Sequence, residues 1–272
     1  MGRRRTSGGA SVKSPSQDKL SLQWVGHSTV VLKYRGEAVI TDPLFRKRLY
    51  HLRRHAEIPL CIGNSDGASP LVLISHLHQD HLDIPSLRRL GSDATIVVPP
   101  GAGRYLSDRL SHDVLELGVG DKLETENLSV LPVEARHGGQ RWPGLRAEAQ
   151  GYVIRAGATV YFAGDTGFFP AMEEVGRHHR VSVALLPVWG HGPKLGKHHM
   201  SPLDAAKALA FIGAEMAVPI HWGTLRPVGV RNHAFLSNPP LEFVTHASIL
   251  APDAIIKVLE PCEETTIQTT IK

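Results

Sequence analysis

The segment Ser75-His76-Leu77-His78-Gln79-Asp80-His81 places three imidazoles and one carboxylate within six residues. Residues 71–75 are almost entirely apolar and predict a buried β strand that ends where this polar cluster begins. Alternation along the chain allows His76 and His78 to face one centre, and a turn after them allows Asp80 and His81 to face a second. Folding does not require such a cluster, because each buried polar ring needs a partner. The segment therefore predicts a metal site on a strand-to-loop turn.

Three more residues suited to metal binding lie later in the chain, and each follows a predicted strand: His137, Asp165 and His221. A site at the edge of a sheet collects its side chains from such strand ends, and Gly164 would allow close backbone approach beside Asp165. Taken singly, each of these residues also fits a surface or turn position, and the histidine-rich segment also fits an exposed loop. Their order along the chain favours one shared site.

The pattern His-x-His-x-Asp-His after an apolar strand resembles the signature of the metallo-β-lactamase superfamily, over roughly residues 20–261. The resemblance implies an α/β (α+β) chain folded as a four-layer αββα sandwich. It also implies seven ligands for two metals, namely His76, His78 and His137 for the first, Asp80, His81 and His221 for the second, and Asp165 bridging both. Asp80 would also take part in catalysis.

Two other polar residues are expected beside these ligands. Asp42, in Thr41-Asp42-Pro43, looks like the early aspartate of the family that supports the ligands from behind. His27, in Gly26-His27-Ser28-Thr29, is interpreted as a buried, hydrogen-bonded histidine near the site.

The donor set limits the choice of metal. Imidazole and carboxylate ligands without thiolate suit Zn²⁺, and also Mn²⁺ or Fe²⁺. Neither Cys61 nor Cys262 lies in a ligand motif. Two divalent metals about 3.5–4 Å apart would share a hydroxide, lower its pKa and hold both oxygens of a displacement. We therefore expect a hydrolase with two divalent metals, with Zn²⁺ as the first choice.

Shorter motifs extend the resemblance to the branch that contains N-acylphosphatidylethanolamine phospholipase D and ascorbate-6-phosphate lactonase. The phospholipase-like members carry a His-Met-x-Pro segment before a helix, as His199-Met200-Ser201-Pro202 does here. The resemblance implies that His199 stabilises or protonates a reacting phosphate. Residues 189–196 depart from this branch and resemble a bacterial subgroup, which leaves the lipid specificity open.

Hydrophobic patterns predict strands and helices along most of the chain. Strands are predicted at residues 20–24, 29–34, 38–41, 71–75, 95–98, 128–135, 152–155, 159–163, 183–187 and 217–220. Helices are predicted at residues 85–90, 102–110, 170–176, 202–212 and 241–250. Residues 46–55 are basic with interleaved apolar side chains and predict a short helix or a loop over the site. This order of elements indicates helices packed outside sheets.

Charge separates a basic tail from a neutral remainder. Residues 1–19 hold five Lys or Arg residues and one acidic residue, while the rest of the chain is balanced. Residues 1–19 have no apolar periodicity and are interpreted as a flexible tail, and residues 20–272 as one hydrolase domain. The neutral domain gives no general reason to expect a nucleic-acid partner, although the tail and residues 46–54 are basic.

Neither a membrane span nor a secretory signal is recognisable, and two cysteines do not form a disulfide framework. These features favour a cytoplasmic protein. We expect a small-molecule or lipid-like anionic substrate and no specific nucleic acid, while a homo-oligomeric state stays open.

Three functions fit the sequence. The first is a phosphodiesterase resembling phospholipase D, and the second is a hydrolase of lactones or other cyclic esters and amides with weak β-lactamase activity. The third is a nucleic-acid-processing nuclease or a non-catalytic binding module. A nuclease would need an added RNA-binding arm or domain, and a non-catalytic relative would lack ligands that are all present here. Specificity is expected in the loops at residues 45–66, 138–149 and 189–198.

Overall fold

The computed structural model describes residues 19–55, 69–141, 144–190, 192–196, 198–231 and 233–268. The proposed tail at residues 1–19 lies, apart from Lys19, outside the described residues. Residues 56–66, part of a predicted specificity loop, also lie outside them.

The described residues form nineteen strands and five helices. The strands are β1 (Leu20–Gly26), β2 (Thr29–Tyr34), β3 (Glu37–Thr41), β4 (Arg48–Leu49), β5 (Leu52–Arg54), β6 (Leu71–Leu73), β7 (Thr95–Val98), β8 (Asp113–Glu116), β9 (Leu123–Glu124), β10 (Ser129–Glu134), β11 (Gln140–Arg141), β12 (Leu145–Arg146), β13 (Gln150–Arg155), β14 (Thr159–Phe162), β15 (Val183–Pro187), β16 (Met216–Ile220), β17 (Leu225–Pro227), β18 (Ile255–Ile256) and β19 (Glu264–Ile267). The helices are α1 (Ile84–Leu87), α2 (Gly103–Ser107), α3 (Met172–His179), α4 (Pro202–Ile212) and α5 (Ala234–Leu250).

Two seven-stranded sheets make up the centre of the fold. The first has the order β19-β1-β2-β3-β6-β7-β8, and the second has the order β18-β16-β15-β14-β13-β10-β9. In the first sheet β3, β6, β7 and β8 are mutually parallel, and in the second β14, β15, β16 and β18 are. Because the carboxyl ends of parallel strands share one edge of a sheet, loops from several strands meet there.

One continuous apolar core joins the two sheets. It contains Leu22 and Trp24 of β1 together with Tyr152 of β13 and Phe162 of β14, all fully or almost fully buried. Strands buried on both faces are expected to be apolar throughout, which explains the almost unbroken apolar sequences of β14, β15 and β16.

Helices cover the outer faces of the sheets. Leu87 of α1 and Leu106 of α2 pack with Val72 and Ile96 of the first sheet in a separate cluster. On the second sheet α4 contacts β15, and α3 and α5 both contact α4. The layers therefore run helix, sheet, sheet, helix, which is the predicted αββα sandwich.

Helix α4 begins where the sequence predicted. The Ser201 side chain accepts from the backbone N–H of Asp204, and the Asp204 side chain accepts from the backbone N–H of Ser201, which makes a capping box. Gly213 ends the helix in the left-handed conformation at φ +65°. This firm N-terminus fixes the segment that carries His199.

The prediction for residues 46–55 was wrong. The segment forms neither a helix nor an irregular loop, because β4 and β5 pair as an antiparallel hairpin and β5 pairs with β17. Leu49, Leu52 and Leu225 bury one face of this small sheet against Leu44. The third strand is about 170 residues away in sequence, so the local pattern could not reveal this packing.

Most other predicted elements are present with shifted ends. Helix α5 departs furthest from its prediction, since it begins at Ala234 and continues through Pro239 and Pro240, whereas the predicted helix began at residue 241. Both prolines are buried with Phe235 and Phe243, so tertiary packing outweighs the loss of backbone hydrogen bonds. The strands β8, β9, β18 and β19 were not predicted, because they are short or polar. Among the described residues, no helix is long and apolar enough to cross a membrane.

Candidate metal centre

The candidate ligands lie in loops that follow strands of both sheets. In the first sheet, β3 leads to Asp42 and β6 leads to the segment that begins at His76. In the second sheet, β10, β14 and β16 lead to His137, Asp165 and His221. The site therefore lies at one edge of the sandwich, and both sheets contribute to it.

His76, His78 and His137 form the first cluster. The Nδ1 atom of His78 lies 3.0 Å from Nε2 of His76 and 3.1 Å from Nε2 of His137. The rings meet edge to face, with centroids 4.6–4.9 Å apart. These three ring nitrogens lie close enough together to bind a single metal.

Asp80, His81 and His221 form the second cluster, with Asp165 beside them. The Oδ2 atom of Asp165 lies 3.2 Å from Nε2 of His81 and 3.1 Å from Nε2 of His221. The Oδ2 atom of Asp80 lies 3.7 and 4.0 Å from the same two nitrogens. Ligand atoms bound to one metal at about 2.0–2.2 Å would be separated by similar distances.

Asp42 supports both clusters from behind. Its carboxylate accepts from the backbone N–H of Ser75 at 2.7 Å, from the Ser75 hydroxyl at 2.5 Å and from Nδ1 of His81 at 2.7 Å. Oγ of Ser75 also lies 3.0 Å from Nδ1 of His76. One buried carboxylate thus orients His81 directly and the His76 segment through Ser75, so that each Nε2 faces the centre.

His27 is held in place mainly through its backbone. Its N–H donates to Oγ1 of Thr224 at 2.6 Å, and its carbonyl accepts from Nε1 of Trp24 and from the N–H of His221. These bonds hold His27 in the left-handed region at φ +56°. The ring is buried, and its Nε2 lies 3.1 Å from Oδ2 of Asp80. His27 is therefore placed to orient Asp80.

His199 lies between the two clusters. Its ring centroid is 4.8 Å from that of His137 and 5.7 Å from that of His221. Nδ1 is 3.5 Å from Oδ2 of Asp165 and is buried without a hydrogen-bond partner. The ring therefore has an uncommitted nitrogen beside the shared aspartate.

Burial and charge divide the imidazoles into two sets. Burial is the largest influence on His76, His78 and His137 and lowers the pKa of each ring, and it lowers the pKa of His199 to about 4. Burial also lowers the pKa of His81, but the charges of Asp165, Asp80 and Asp42 outweigh it and raise that pKa well above its ordinary value.

The same balance holds at His221 and Asp165. Burial lowers the pKa of His221, but the charge of Asp165 raises that pKa overall. Burial raises the pKa of the Asp165 carboxyl, yet His221 and His81 hold it well below its usual range. Asp165 is therefore an anion that its two histidines stabilise.

The residues present fit divalent metals. Among the described residues, Nε2 of His81, Nε2 of His221 and Oδ1 of Asp165 are buried polar atoms without a hydrogen-bond partner. Such atoms are costly unless something binds them, and here they converge with acceptor nitrogens and a carboxylate. An imidazole and carboxylate donor set of this kind suits Zn²⁺, Mn²⁺ or Fe²⁺.

A cavity of about 730 Å³ opens beside the first cluster. His137 lines it together with Arg136 and Arg146, and Gln140 and Glu148 complete much of its wall. Most of its lining comes from residues 134–149, which overlap the predicted specificity loop at residues 138–149.

Every candidate residue from the sequence lies in this centre. The supporting groups that the sequence did not reveal are Ser75, Thr224 and the carbonyls of Trp189 and His198. The two carbonyls lie 2.9 and 2.8 Å from Nδ1 of His221 and of His137. The position of Ser75 directly before the first histidine ligand could have indicated its supporting role. The two carbonyls could not have been found in this way, because every residue has a backbone carbonyl.

The family model described as "Beta-lactamase superfamily domain" matches residues 38–222. The chain therefore belongs to the beta-lactamase superfamily, and the predicted fold and family resemblance are confirmed. A metallo hydrolase from Ignicoccus hospitalis KIN4/I superposes with a TM-score of 0.69 at 24% identity, covering 92% of this chain and 98% of that one.

Relatives in sequence carry related names. A protein of Methanopyrus kandleri named as a metal-dependent hydrolase is 29% identical over 90% of this chain and 98% of its own length. An N-acyl-phosphatidylethanolamine-hydrolyzing phospholipase D of Caenorhabditis elegans is 27% identical over 80% of this chain and 67% of its own length. The chain spans 60% of the length of its mycobacterial relatives, at 31% identity. The class of enzyme predicted from the sequence, a metal-dependent hydrolase, is the class these names describe.

Proposed function

We propose that the chain is a binuclear metal-dependent phosphodiesterase that acts on substrates resembling those of phospholipase D. The observation that carries the proposal is His199, whose partnerless Nδ1 lies between two ligand clusters and 3.5 Å from the aspartate they share. In a metal-dependent phosphodiesterase, metals can bind the oxygens of the phosphate while a separate side chain protonates the leaving oxygen.

The seven candidate ligands would hold two metals. His76, His78 and His137 would hold the first, Asp80, His81 and His221 the second, and Asp165 would contact both. Divalent metals there would supply Lewis acidity and lower the pKa of water, with Zn²⁺ proposed first. Asp42 and His27 would keep His81 and Asp80 in position through the hydrogen bonds at 2.7 and 3.1 Å.

His199 would serve the reacting phosphate rather than a metal. Burial holds its pKa at about 4, so the ring is neutral near pH 7 and one of its nitrogens carries a proton. A neutral imidazole can donate a hydrogen bond to a phosphate oxygen or pass its proton to a leaving oxygen. The capping box at Ser201 fixes this position from two residues away.

The cavity beside His137 offers two arginines to an anionic group of the substrate, and Glu134 and Glu148 line it as well. Arg136 and Arg146 both line the cavity, and each presents a planar group suited to phosphate. Arg136 also contacts Glu134 and lies over the ring of Phe169, which holds it at the cavity wall. We propose that this wall binds the part of the substrate that is not cleaved.

We also propose that the enzyme works in the cytoplasm.

Metal analysis and a substrate panel test the proposal together. Purified protein should contain two transition-metal equivalents, and chelation should abolish hydrolysis of a chromogenic phosphodiester. Asp80→Ala should remove most turnover and one metal equivalent, because Asp80 belongs to the second cluster only. Its melting temperature should fall by several degrees rather than by tens, because one bound metal is lost while the scaffold does not depend on this side chain.

The panel separates the two leading functions. Chromogenic lactones and β-lactams are assayed beside the phosphodiester. If the chain were a cyclic ester hydrolase, only the lactones would be turned over. Full activity in chelator, with no metal in the protein, would refute the metal mechanism. A melting temperature that falls by tens of degrees in Asp80→Ala would instead indicate a structural metal.

A further inference from the structure

The small sheet of β4, β5 and β17 carries a row of three arginines. Its register pairs Arg53 of β5 with Arg48 of β4 on one side and with Arg226 of β17 on the other. Residues directly opposite one another in antiparallel strands share a face and lie about 5 Å apart. Leu49, Leu52 and their neighbours bury the other face of the sheet. In the row on the opposite face, called here the arginine row, Arg48 and Arg53 are exposed and Arg226 is half-buried.

In the part of the chain that the structure describes, no carboxylate pairs with the arginine row. Among the described residues, none of the three arginines forms an ion pair. Arg48 donates from Nε to the carbonyl of Tyr50, and Nη1 of Arg226 lies 3.3 Å from Nε2 of His233. Like charges directly opposite one another in a sheet destabilise it, so folding alone does not account for the row.

Protection of a sheet edge explains only part of the row. Positive charge on an edge strand discourages pairing with other chains, which would account for Arg48 on β4 and Arg226 on β17. Arg53 lies on the central strand, where pairing is already complete. A third arginine at that position concentrates charge without protecting an edge.

Two exposed apolar side chains lie at the end of the same sheet. Tyr50, in the turn between β4 and β5, is 67% exposed, and Val228, just after β17, is 58% exposed. The N–H of Val228 donates to the carbonyl of His51, which fixes Val228 beside the turn. Basic residues flanking an aromatic and an aliphatic side chain suit the boundary between headgroups and acyl chains of a lipid layer.

The sheet is attached directly to the candidate metal centre. Strand β17 begins four residues after His221, and Thr224, just before it, accepts from the N–H of His27. The N–H of His55, just after β5, donates to the carbonyl of Thr224. A surface that docks on the arginine row is thus held next to the metal ligands.

We propose that the arginine row, with Tyr50 and Val228, docks the enzyme on an anionic phospholipid surface. Phosphate groups of the surface would contact the arginines, while the two apolar side chains enter the headgroup region. The choice of lipid over other polyanions rests in part on the proposed phosphodiesterase function. Docking itself requires no turnover, so each can fail without the other.

Vesicle sedimentation of the full chain tests the proposal. Vesicles of phosphatidylcholine alone are compared with vesicles that also contain phosphatidylglycerol. The test variant combines Arg48→Ser, Arg53→Ser and Arg226→Ser, and a control variant combines Arg104→Ser, Arg177→Ser and Lys207→Ser. The control removes the same charge from helical positions, of which Arg104 and Arg177 are exposed and Lys207 is half-buried, and both variants keep residues 1–19.

The expected result is binding of the native chain to phosphatidylglycerol vesicles only, reduced by about fivefold per arginine and about 10²-fold in the test variant. The control should lose much less, and Tyr50→Ser with Val228→Ser should weaken the binding that persists at higher salt. If the triple variant does not fold, the single variant Arg53→Ser is used as the test variant instead. Turnover of a soluble phosphodiester should stay unchanged, which separates docking from catalysis.

Three outcomes would overturn docking on lipid. The first is equal loss of binding in the test and control variants. The second is displacement from vesicles by inorganic phosphate at low millimolar concentration, which would indicate a site for a single phosphate. The third is retention on vesicles while binding to a single-stranded DNA oligonucleotide is lost, which would assign the row to nucleic acid.

Discussion

His199 is the residue whose role differs most between a structural and a catalytic interpretation. We expect His199→Ala to keep both metal equivalents and to lower turnover of phosphodiesters by about 10²–10⁴-fold. The loss should be larger for a substrate with a poor leaving group, because proton donation matters most there. Metal content and turnover with good and poor leaving groups provide the measurement.

Other results would assign His199 differently. An equal loss with both leaving groups would favour stabilisation of a developing oxyanion over proton donation. Loss of one metal equivalent would make His199 a ligand, which its distance of 3.5 Å from the shared Asp165 would allow. Unchanged turnover with both substrates would leave only a role in shaping the loop before α4.

The two clusters should differ in how protons compete with metal. His81 and His221 have raised pKa values, so near pH 7 a metal entering the second cluster must displace protons. The first cluster, whose three imidazoles have lowered pKa values, is already deprotonated there. Affinity at the second cluster should therefore fall first as pH decreases.

Calorimetric titration with Zn²⁺ in buffers of different ionisation enthalpy would measure this difference. His137→Ala reports mainly on the second cluster, and His221→Ala mainly on the first. We expect more protons released per metal in His137→Ala than in His221→Ala near pH 7. Equal release in both would contradict the division of the imidazoles into two sets.

Sequence was most informative where ligands are adjacent in the chain. His76, His78, Asp80 and His81 form one motif, and it made the isolated residues later in the chain interpretable. The groups that orient those ligands were harder to predict. Thr224 accepts a hydrogen bond from His27, which is 197 residues away in sequence. The carbonyl that faces His221 belongs to Trp189. Such partners depend on tertiary packing, which a local pattern does not encode.

At the scale of elements, burial decided which predictions succeeded. Strands such as β14 and β15 are buried on both sides, so their apolar sequences were sufficient to identify them. Three of the four residues of β19, Glu-Thr-Thr-Ile, are polar, and the strand exists because it pairs with β1 at the other end of the chain. The hairpin of β4 and β5 depends in the same way on β17.

Gly164, between strand β14 and Asp165, is the connecting residue that most directly affects the metal centre. It connects β14 to Asp165 at φ +61°, and an added Cβ would lie 2.7 Å from Cβ of Ser75. Ser75 contacts both Asp42 and His76, so Gly164→Ala should push the two sheets apart at the ligands. We expect weaker metal binding, by at least tenfold, together with a lower melting temperature.

Gly213→Ala is the matched control for this prediction. Gly213 has nearly the same φ, +65°, but no atom lies within 4 Å of its added Cβ. It should therefore show only the strain of the left-handed conformation, about 1 kcal/mol, with metal affinity unchanged. If both variants bind metal as the native chain does, the approach of Gly164 to Ser75 does not position the ligands.

At the scale of the whole molecule, the centre joins the two sheets. Asp42 and the histidine-rich segment extend from the first sheet, while His137, Asp165 and His221 extend from the second. The hydrogen bond from His221 to the carbonyl of His27 and the contact of His81 with Asp165 cross this boundary. Metal bound to both sets would therefore restrain the halves against each other, and its free energy of binding would add to the stability of the fold.

The basic tail should be dispensable for both folding and chemistry. Removing residues 1–19 leaves every described strand pair intact, since pairing of β1 with β19 begins at Leu20 and Ile267. The removed residues carry the whole formal charge of +4 and have no apolar periodicity. We expect an unchanged melting temperature and unchanged turnover of a small soluble phosphodiester. On anionic vesicles the truncated chain should bind more weakly at low salt, and this difference should shrink as salt rises because exposed charges are screened over about 8 Å at 0.15 M. A large loss of turnover on the soluble substrate would instead show that the tail contributes to the site.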